Sequence, residues 1–208
     1  DTQAIAAELQ GQLDRESGFT FFDKGNTDAT EKSASKVVEA SYTAPYLAHA
    51  TMEPMNCTVR ISGGRAEAWV PTQSAEGSLA ALAESSGVPI QNCDVYKMDL
   101  GGGFGRRGGH QEYVTQAAQV ALKFPGKPIK LVWSREEDMT QDFYRPISMA
   151  KMSAGIDAQG NMVGFHVRVS GQSLNALLAP MNIKNNKDTR QLQGFWQEPG
   201  DAQLGYTF

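Results

Sequence analysis

The stretch DVYKMDLGGGFGRRGG, residues 94–109, decides the reading of the fold. Tyr96, Met98 and Leu100 recur at every second position, the period of a strand. The strand reading stops at Gly101, where a glycine run begins. Val114, Ala117, Ala118 and Ala121 then recur at helical spacing within residues 111–123, and residues 127–133 return as an apolar strand. Strand, glycine bend, helix and strand in this order read as a βαβ unit.

The flanks extend this pattern. Residues 57–61 and 65–70 are short β-favouring runs on either side of Ser62-Gly63-Gly64, and two glycines in a row supply the positive φ of a tight hairpin turn. Residues 75–86 read as a helix with Leu79, Leu82 and Ala83 inward, stopped by Gly87 and Pro89. A strand is expected at 39–46, ended by Pro45, and a second hairpin pairs 147–156 with 162–170. Towards the N-terminus, Ile5, Leu9 and Leu13 mark a helix over 2–16, and Asp28 with Glu31 reads as a capping box opening a short helix through Val38. After Leu178 the pattern fades, so irregular surface is expected. The chain is therefore read as α+β with mixed sheets of α/β type, residues 1–38 as a helical linker segment and 39–208 as one domain.

With 208 residues the chain is long enough for a substantial core. Nineteen basic against twenty-three acidic residues leave a net charge of −4, and Arg106-Arg107 is the only adjacent basic pair, so nucleic acid is not an expected partner. No stretch approaches the roughly 20 apolar residues of a membrane span. Cys57 and Cys93 stand outside any CxxC pair and are expected to be buried free thiols. The chain begins at Asp1 with no Met, which suggests an excised or partial chain.

Four clusters could carry chemistry. In Gly101–Gly109 the absence of Cβ atoms lets successive N–H groups converge on an anionic or oxo ligand. Gly103, Gly105 and Gly108 formally satisfy GxGxxG, but the position 20 residues beyond Gly108 is Pro128 where a dinucleotide site wants an acid, so a non-catalytic dinucleotide- or anion-binding module remains the alternative. Within YLAHATMEPMNC, residues 46–57, His49 and Glu53 stand four apart, but Pro54 interrupts any helix there and a hydrogen-bonded structural role is expected over a metal site. In WVPTQ, residues 69–73, Gln73 can project its amide into a cleft at a strand end; a plain helix cap explains Thr72 and Ser74 equally well. SREEDM, residues 134–139, with Phe143-Tyr144-Arg145-Pro146, reads by charge as a solvated loop.

Together the four clusters resemble the molybdenum-binding subunit of the xanthine oxidase family of molybdenum hydroxylases, most closely its isoquinoline 1-oxidoreductase β-subunit and bacterial aldehyde dehydrogenase branch. They occur in the family's order. The resemblance implies a molybdopterin cofactor, commonly the cytosine dinucleotide form, whose molybdenum hydroxylates an N-heterocycle or oxidises an aldehyde with water-derived oxygen. Electrons would pass to iron–sulfur clusters on a partner subunit. Cofactor contacts would fall to Gln73, Gly102, Gly103, Phe104, Gly105 and Arg106. Phe104 would also wall the substrate funnel, and Arg145 would orient substrate. Arg106-Arg107-Gly108 replaces the Gly-Lys-Glu of xanthine oxidases, which argues against purine substrates. The family's catalytic Gly-x-Gly-Glu is absent from these residues, so the chain alone is expected to be inactive and to need the remainder of a larger subunit. Relatives with GGGFGRR often carry a twin-arginine export signal, which leans towards the periplasm.

Overall fold

The computed structural model describes residues 1–15, 18–185, 187, 188, 190 and 201–207, the last seven by backbone alone. In chain order the elements are α1 (Thr2–Asp14), β1 (Phe19–Lys24), α2 (Thr27–Ser33), β2 (Lys36–Ala44), β3 (Asn56–Ser62), β4 (Arg65–Val70), α3 (Ala75–Ser86), β5 (Cys93–Lys97), α4 (Arg106–Gly109), α5 (Glu112–Ala121), β6 (Ile129–Val132), α6 (Arg135–Thr140), β7 (Ser148–Ile156), β8 (Met162–Gly171), α7 (Leu174–Leu178) and β9 (Asp201–Thr207). They form two compact units, one of residues 48–144 and one of 1–47 with 145–208. No described helix is long and apolar enough to cross a membrane.

The 48–144 unit is a four-stranded sheet of order β5-β4-β3-β6. Strands β3 and β4 form the expected hairpin, with Gly63 and Gly64 at φ 56° and 77°. The parallel neighbours are β4 and β5, joined through α3. Strand β6 pairs antiparallel with β3 and so runs in the direction of β5 from the opposite edge. The βαβ unit expected around the glycine bend thus spans the sheet rather than joining neighbours. Helices α3 and α5 bury Leu82, Tyr113, Val114, Ala117, Ala118 and Ala121 against Cys57, Val59, Ala66, Ala68 and Val70. The alanines keep α5 close to the strands, since a larger side chain would have to push it away. The strand expected to run to Leu100 ends at Lys97, leaving Met98 and Leu100 outside it; Tyr96, Met98 and Leu100 are all exposed, and Tyr96 stacks on Trp69 with ring centroids 5.2 Å apart.

The other unit is a five-stranded sheet of order β1-β9-β8-β7-β2. Leu9 and Leu13 of α1 pack with Ile147 and Met149. Residues 1–38 differ from the helical segment expected of them: they supply all of β1 and the first residues of β2, and Lys36–Val38 pair with Ile156–Ala154. The helix there starts earlier than Asp28 suggested, because Asn26 caps it by accepting from the Ala29 N–H, while Glu31 accepts from the Ser153 hydroxyl. Helix α2 fits against the sheet at Gly155 and Gly164, where an added Cβ would lie 3.2 Å from Ala34 and 3.3 Å from Thr30. The tail expected to be irregular after Leu178 instead contains β9, which pairs with both β1 and β8; residues 191–200 of that tail, and Glu16 of the expected first helix, lie outside the described residues.

Both cysteines are buried free thiols, as expected. Burial pushes the Cys57 thiol up to about 12. Because the thiolate is the reactive form, Cys57 should resist iodoacetamide at pH 8 in the folded protein and react once it is unfolded. Peptide mapping checks this, and rapid labelling of folded Cys57 would contradict its place in the core.

Candidate functional site

Three segments of the 48–144 unit meet at the glycine bend: residues 49–56, Pro71–Ser74 after β4, and Gly101–His110 after β5. The bend has an unusual backbone. Gly102, Phe104 and Gly105 all have positive φ, at 99°, 55° and 102°. Left-handed backbone at a bulky residue such as Phe104 costs about 1–3 kcal/mol and recurs at ligand sites. The Phe104 ring is 76% exposed, so no burial of its own offsets that strain.

A buried guanidinium fixes the bend from beneath. Arg107 is fully buried; its Nε donates to the Gly102 carbonyl at 2.9 Å, Nη1 to the Pro71 carbonyl at 3.2 Å, and Nη2 to the Glu53 carbonyl at 2.7 Å and Glu53 Oε2 at 3.1 Å. Glu53 returns to the bend, accepting the Gly101 N–H at 3.0 Å on Oε2 and Asn56 Nδ2 at 2.9 Å on Oε1. Gly101 has to be glycine, since a Cβ there would sit 2.4 Å from Glu53 Cβ. A fork of five donors suits this task better than an ammonium, because its directions are fixed.

Gln73 holds the bend from the side. Its Oε1 accepts the N–H groups of Gly105 at 3.1 Å and Arg107 at 3.3 Å, and its own N–H donates to the Arg107 carbonyl at 3.0 Å. Two donors facing one end of the carboxamide identify that end as oxygen. The exposed Gln73 therefore presents its NH₂ group, which makes no hydrogen bond among the described residues. A Cβ on Gly103 would lie 2.5 Å from Gln73 Oε1, so the close approach requires glycine. The N–H groups of Gly103 and Phe104 also have no partner among the described residues, whereas that of Gly105 is taken by Gln73. The Gly102 N–H likewise has none, so three successive backbone donors are left over at the bend beside the carboxamide NH₂, an arrangement that suits an anionic or oxo-rich ligand.

Beside the bend, Asp142 accepts from His49 Nδ1 at 2.9 Å and lies 2.9 Å from Arg106 Nε, and Arg106 also pairs with Glu112. This corrects the expectation for Arg106: its guanidinium is 2% exposed, lies against Trp133 and Phe143, and is not offered to a ligand. SREEDM is not a solvated loop either. Ser134 caps α6 by accepting the Glu137 N–H at 3.1 Å, Asp138 is buried against Arg135, and Arg135 donates to the carbonyls of Thr51 and Met52.

A model of the molybdopterin cofactor-binding domain matches residues 12–177. The chain belongs to the molybdopterin cofactor-binding domain family. A membrane-bound aldehyde dehydrogenase (pyrroloquinoline-quinone) of Gluconacetobacter polyoxogenes is 27% identical over 184 residues, which is 88% of this chain and 24% of that protein. Isoquinoline 1-oxidoreductase subunit beta of Brevundimonas diminuta is 32% identical over 108 residues, 51% of this chain and 14% of its own. Quinoline 2-oxidoreductase of Pseudomonas putida 86 shares the fold, with a TM-score of 0.63 at 14% identity over 95% of this chain and 27% of its own. The chain thus spans about a quarter or less of the proteins it matches.

The structure brings Gln73, Gly102, Gly103, Phe104 and Gly105 together. Arg145 belongs to the other unit, where it bonds the Pro45 carbonyl and borders an apolar groove of about 280 Å³ with Met152, Val167 and Leu174. Arg107 and Asp142 escaped the sequence reading. A central Arg was visible only as half of a basic pair, and Asp142 gives no local signal of a partner 93 residues away. Replacing Arg107 by Met removes the donor to the Gly102 and Pro71 carbonyls and one partner each of the Glu53 carbonyl and carboxylate, and should destabilise the unit by about 3–5 kcal/mol. Denaturant unfolding measures this, and a loss below about 1 kcal/mol would show that the bend stands without its anchor.

Proposed function

We propose that this domain forms one wall of the molybdopterin site in a longer oxidoreductase that oxidises an aldehyde or hydroxylates an N-heterocycle. The observation that carries the reading is the set of unpartnered donors on one strained bend: the Gly103 and Phe104 N–H groups and the Gln73 NH₂. Family membership supplies the ligand class that such a set fits. The relatives' names, an aldehyde dehydrogenase and an isoquinoline oxidoreductase, supply the substrate classes.

Bound there, the cofactor would supply two-electron redox chemistry with oxygen taken from water. The protein's part is to hold it. The Gly103 and Phe104 amides donate to the cofactor's anionic face, and Gln73 Nε2 donates alongside them. Because these dipoles are already fixed by Arg107 and by the Gln73 oxygen, they need no reorganisation when charge develops on the group they hold. The exposed Phe104 ring excludes water from one side and gives a flat apolar surface to an aromatic or aldehyde substrate. The cytosine dinucleotide form, an iron–sulfur partner that accepts the electrons, and a catalytic carboxylate contributed from outside these residues complete the proposal.

The test is the molybdenum and pterin content of the intact protein. The wild type should carry both, and Gly103→Val, which drives a side chain into Gln73, should lower them by about tenfold or more. Gly108→Ala should change neither, as no atom lies within 4 Å of a Cβ at that position. An intact protein free of molybdenum, or one that binds NAD or FMN tightly at the bend instead, would overturn the reading.

A further inference from the structure

His49 takes no part in the cradle described so far, yet its position is specific. The Asp142 carboxylate, 2% exposed, accepts both the backbone N–H and the Nδ1 of His49, the latter at 2.9 Å. A carboxylate on Nδ1 leaves Nε2 as the working atom of the imidazole, the logic by which an Asp orients a His elsewhere in protein chemistry. That Nε2 faces the bend, 4.0 Å from where a Gly105 Cβ would be, and the side chain keeps 19% of its surface open. Gly105, lacking a Cβ, leaves the path between the imidazole and the bend clear.

The charges around His49 are Asp142, Arg106 and Glu112, with His110 as the second imidazole. Two carboxylates face one guanidinium, so the cluster has one negative charge in excess whenever both histidines are neutral. His110 does not supply the balancing proton. Its ring is stacked 3.4 Å from Phe143, and burial lowers its pKa, with Glu112 opposing and Arg106 and His49 adding to the effect. An anion arriving at the bend adds to that excess, and the imidazole of the cluster that faces it is His49, through Nε2.

We propose that His49 is a proton-carrying contact of the cofactor: when the anionic group settles on the bend, Nε2 takes up one proton from solvent and donates it as a hydrogen bond. Asp142 is the positioning residue that fixes the ring and stabilises the imidazolium. No bond other than those to the transferred proton changes. This rests on the proposed molybdopterin site and adds to it a proton linkage. Retention of the cofactor should weaken as pH rises through the range in which imidazoles titrate.

The experiment uses the intact, molybdenum-loaded protein and follows the rate of molybdenum loss during anaerobic dialysis from pH 5.5 to 8.5, with enzyme activity left out of the readout. One linked proton makes the wild-type loss rate rise by up to about tenfold per pH unit above the imidazole midpoint. H49Q, which keeps a polar side chain but cannot charge, should lose molybdenum at the faster rate at every pH with that rise removed, while H110Q keeps the wild-type profile. A flat wild-type profile overturns the inference without any variant, as does an H49Q profile that matches the wild type. Purified protein lacking molybdenum would instead count against the cofactor site itself, which keeps the two failures apart.

Discussion

The geometry of the bend depends on one buried cation. Arg107 ties the carbonyls of Gly102, Pro71 and Glu53 and the Glu53 carboxylate to a single rigid fork, so three segments far apart in sequence share one anchor. A buried guanidinium is tolerated only when its donors are satisfied, and here carbonyl oxygens do most of that work. Once it is in place, Gly101 is held by Glu53 and Gly105 by Gln73. The positive φ values at Gly102 and Gly105 are ordinary for glycine, and that of Phe104 is imposed by the fixings on either side of it. Between those two fixings the Gly102, Gly103 and Phe104 amides have no partner among the described residues.

Adjacent arginines take opposite tasks. Arg107 organises the bend, while Arg106 goes to Asp142 and Glu112 and closes the region against Trp133 and Phe143. The only adjacent basic pair of the sequence is therefore buried and turned to protein partners. Apart from His49 at its edge, what the bend offers is neutral: backbone amides and a carboxamide. Such groups can hold an anion without the desolvation cost of burying a cation beside it.

Local signals made much of this legible. Gly63-Gly64 fixed the β3–β4 hairpin, Ser74 and Gly87 bounded α3, and the alanine stripe of α5 faced the core. Elements whose reason is distant were hidden. Strand β9 exists through pairing with β1 and β8, and nothing in residues 201–207 announces those partners. Helix α6 carried a readable cap, Ser134 with Glu137 three residues on, but its run of charges outweighed it; the burial of Asp138 depends on Arg135 reaching Thr51. Of the candidate site, the glycines and Gln73 were visible by residue type. The carboxamide's orientation, the Arg107 anchor and the His49–Asp142 pair follow from tertiary contacts that spacing does not encode.

The central claim is that the Gly103 and Phe104 amides are kept free for a ligand while their neighbours are fixed. Hydrogen exchange at residues 101–107, compared between cofactor-loaded and cofactor-free intact protein, tests it most directly. The account predicts that Gly105 and Arg107 are protected in both forms, and that Gly103 and Phe104 exchange rapidly without cofactor and slowly with it. Equal exchange at Gly103 and Phe104 in the two forms would contradict it.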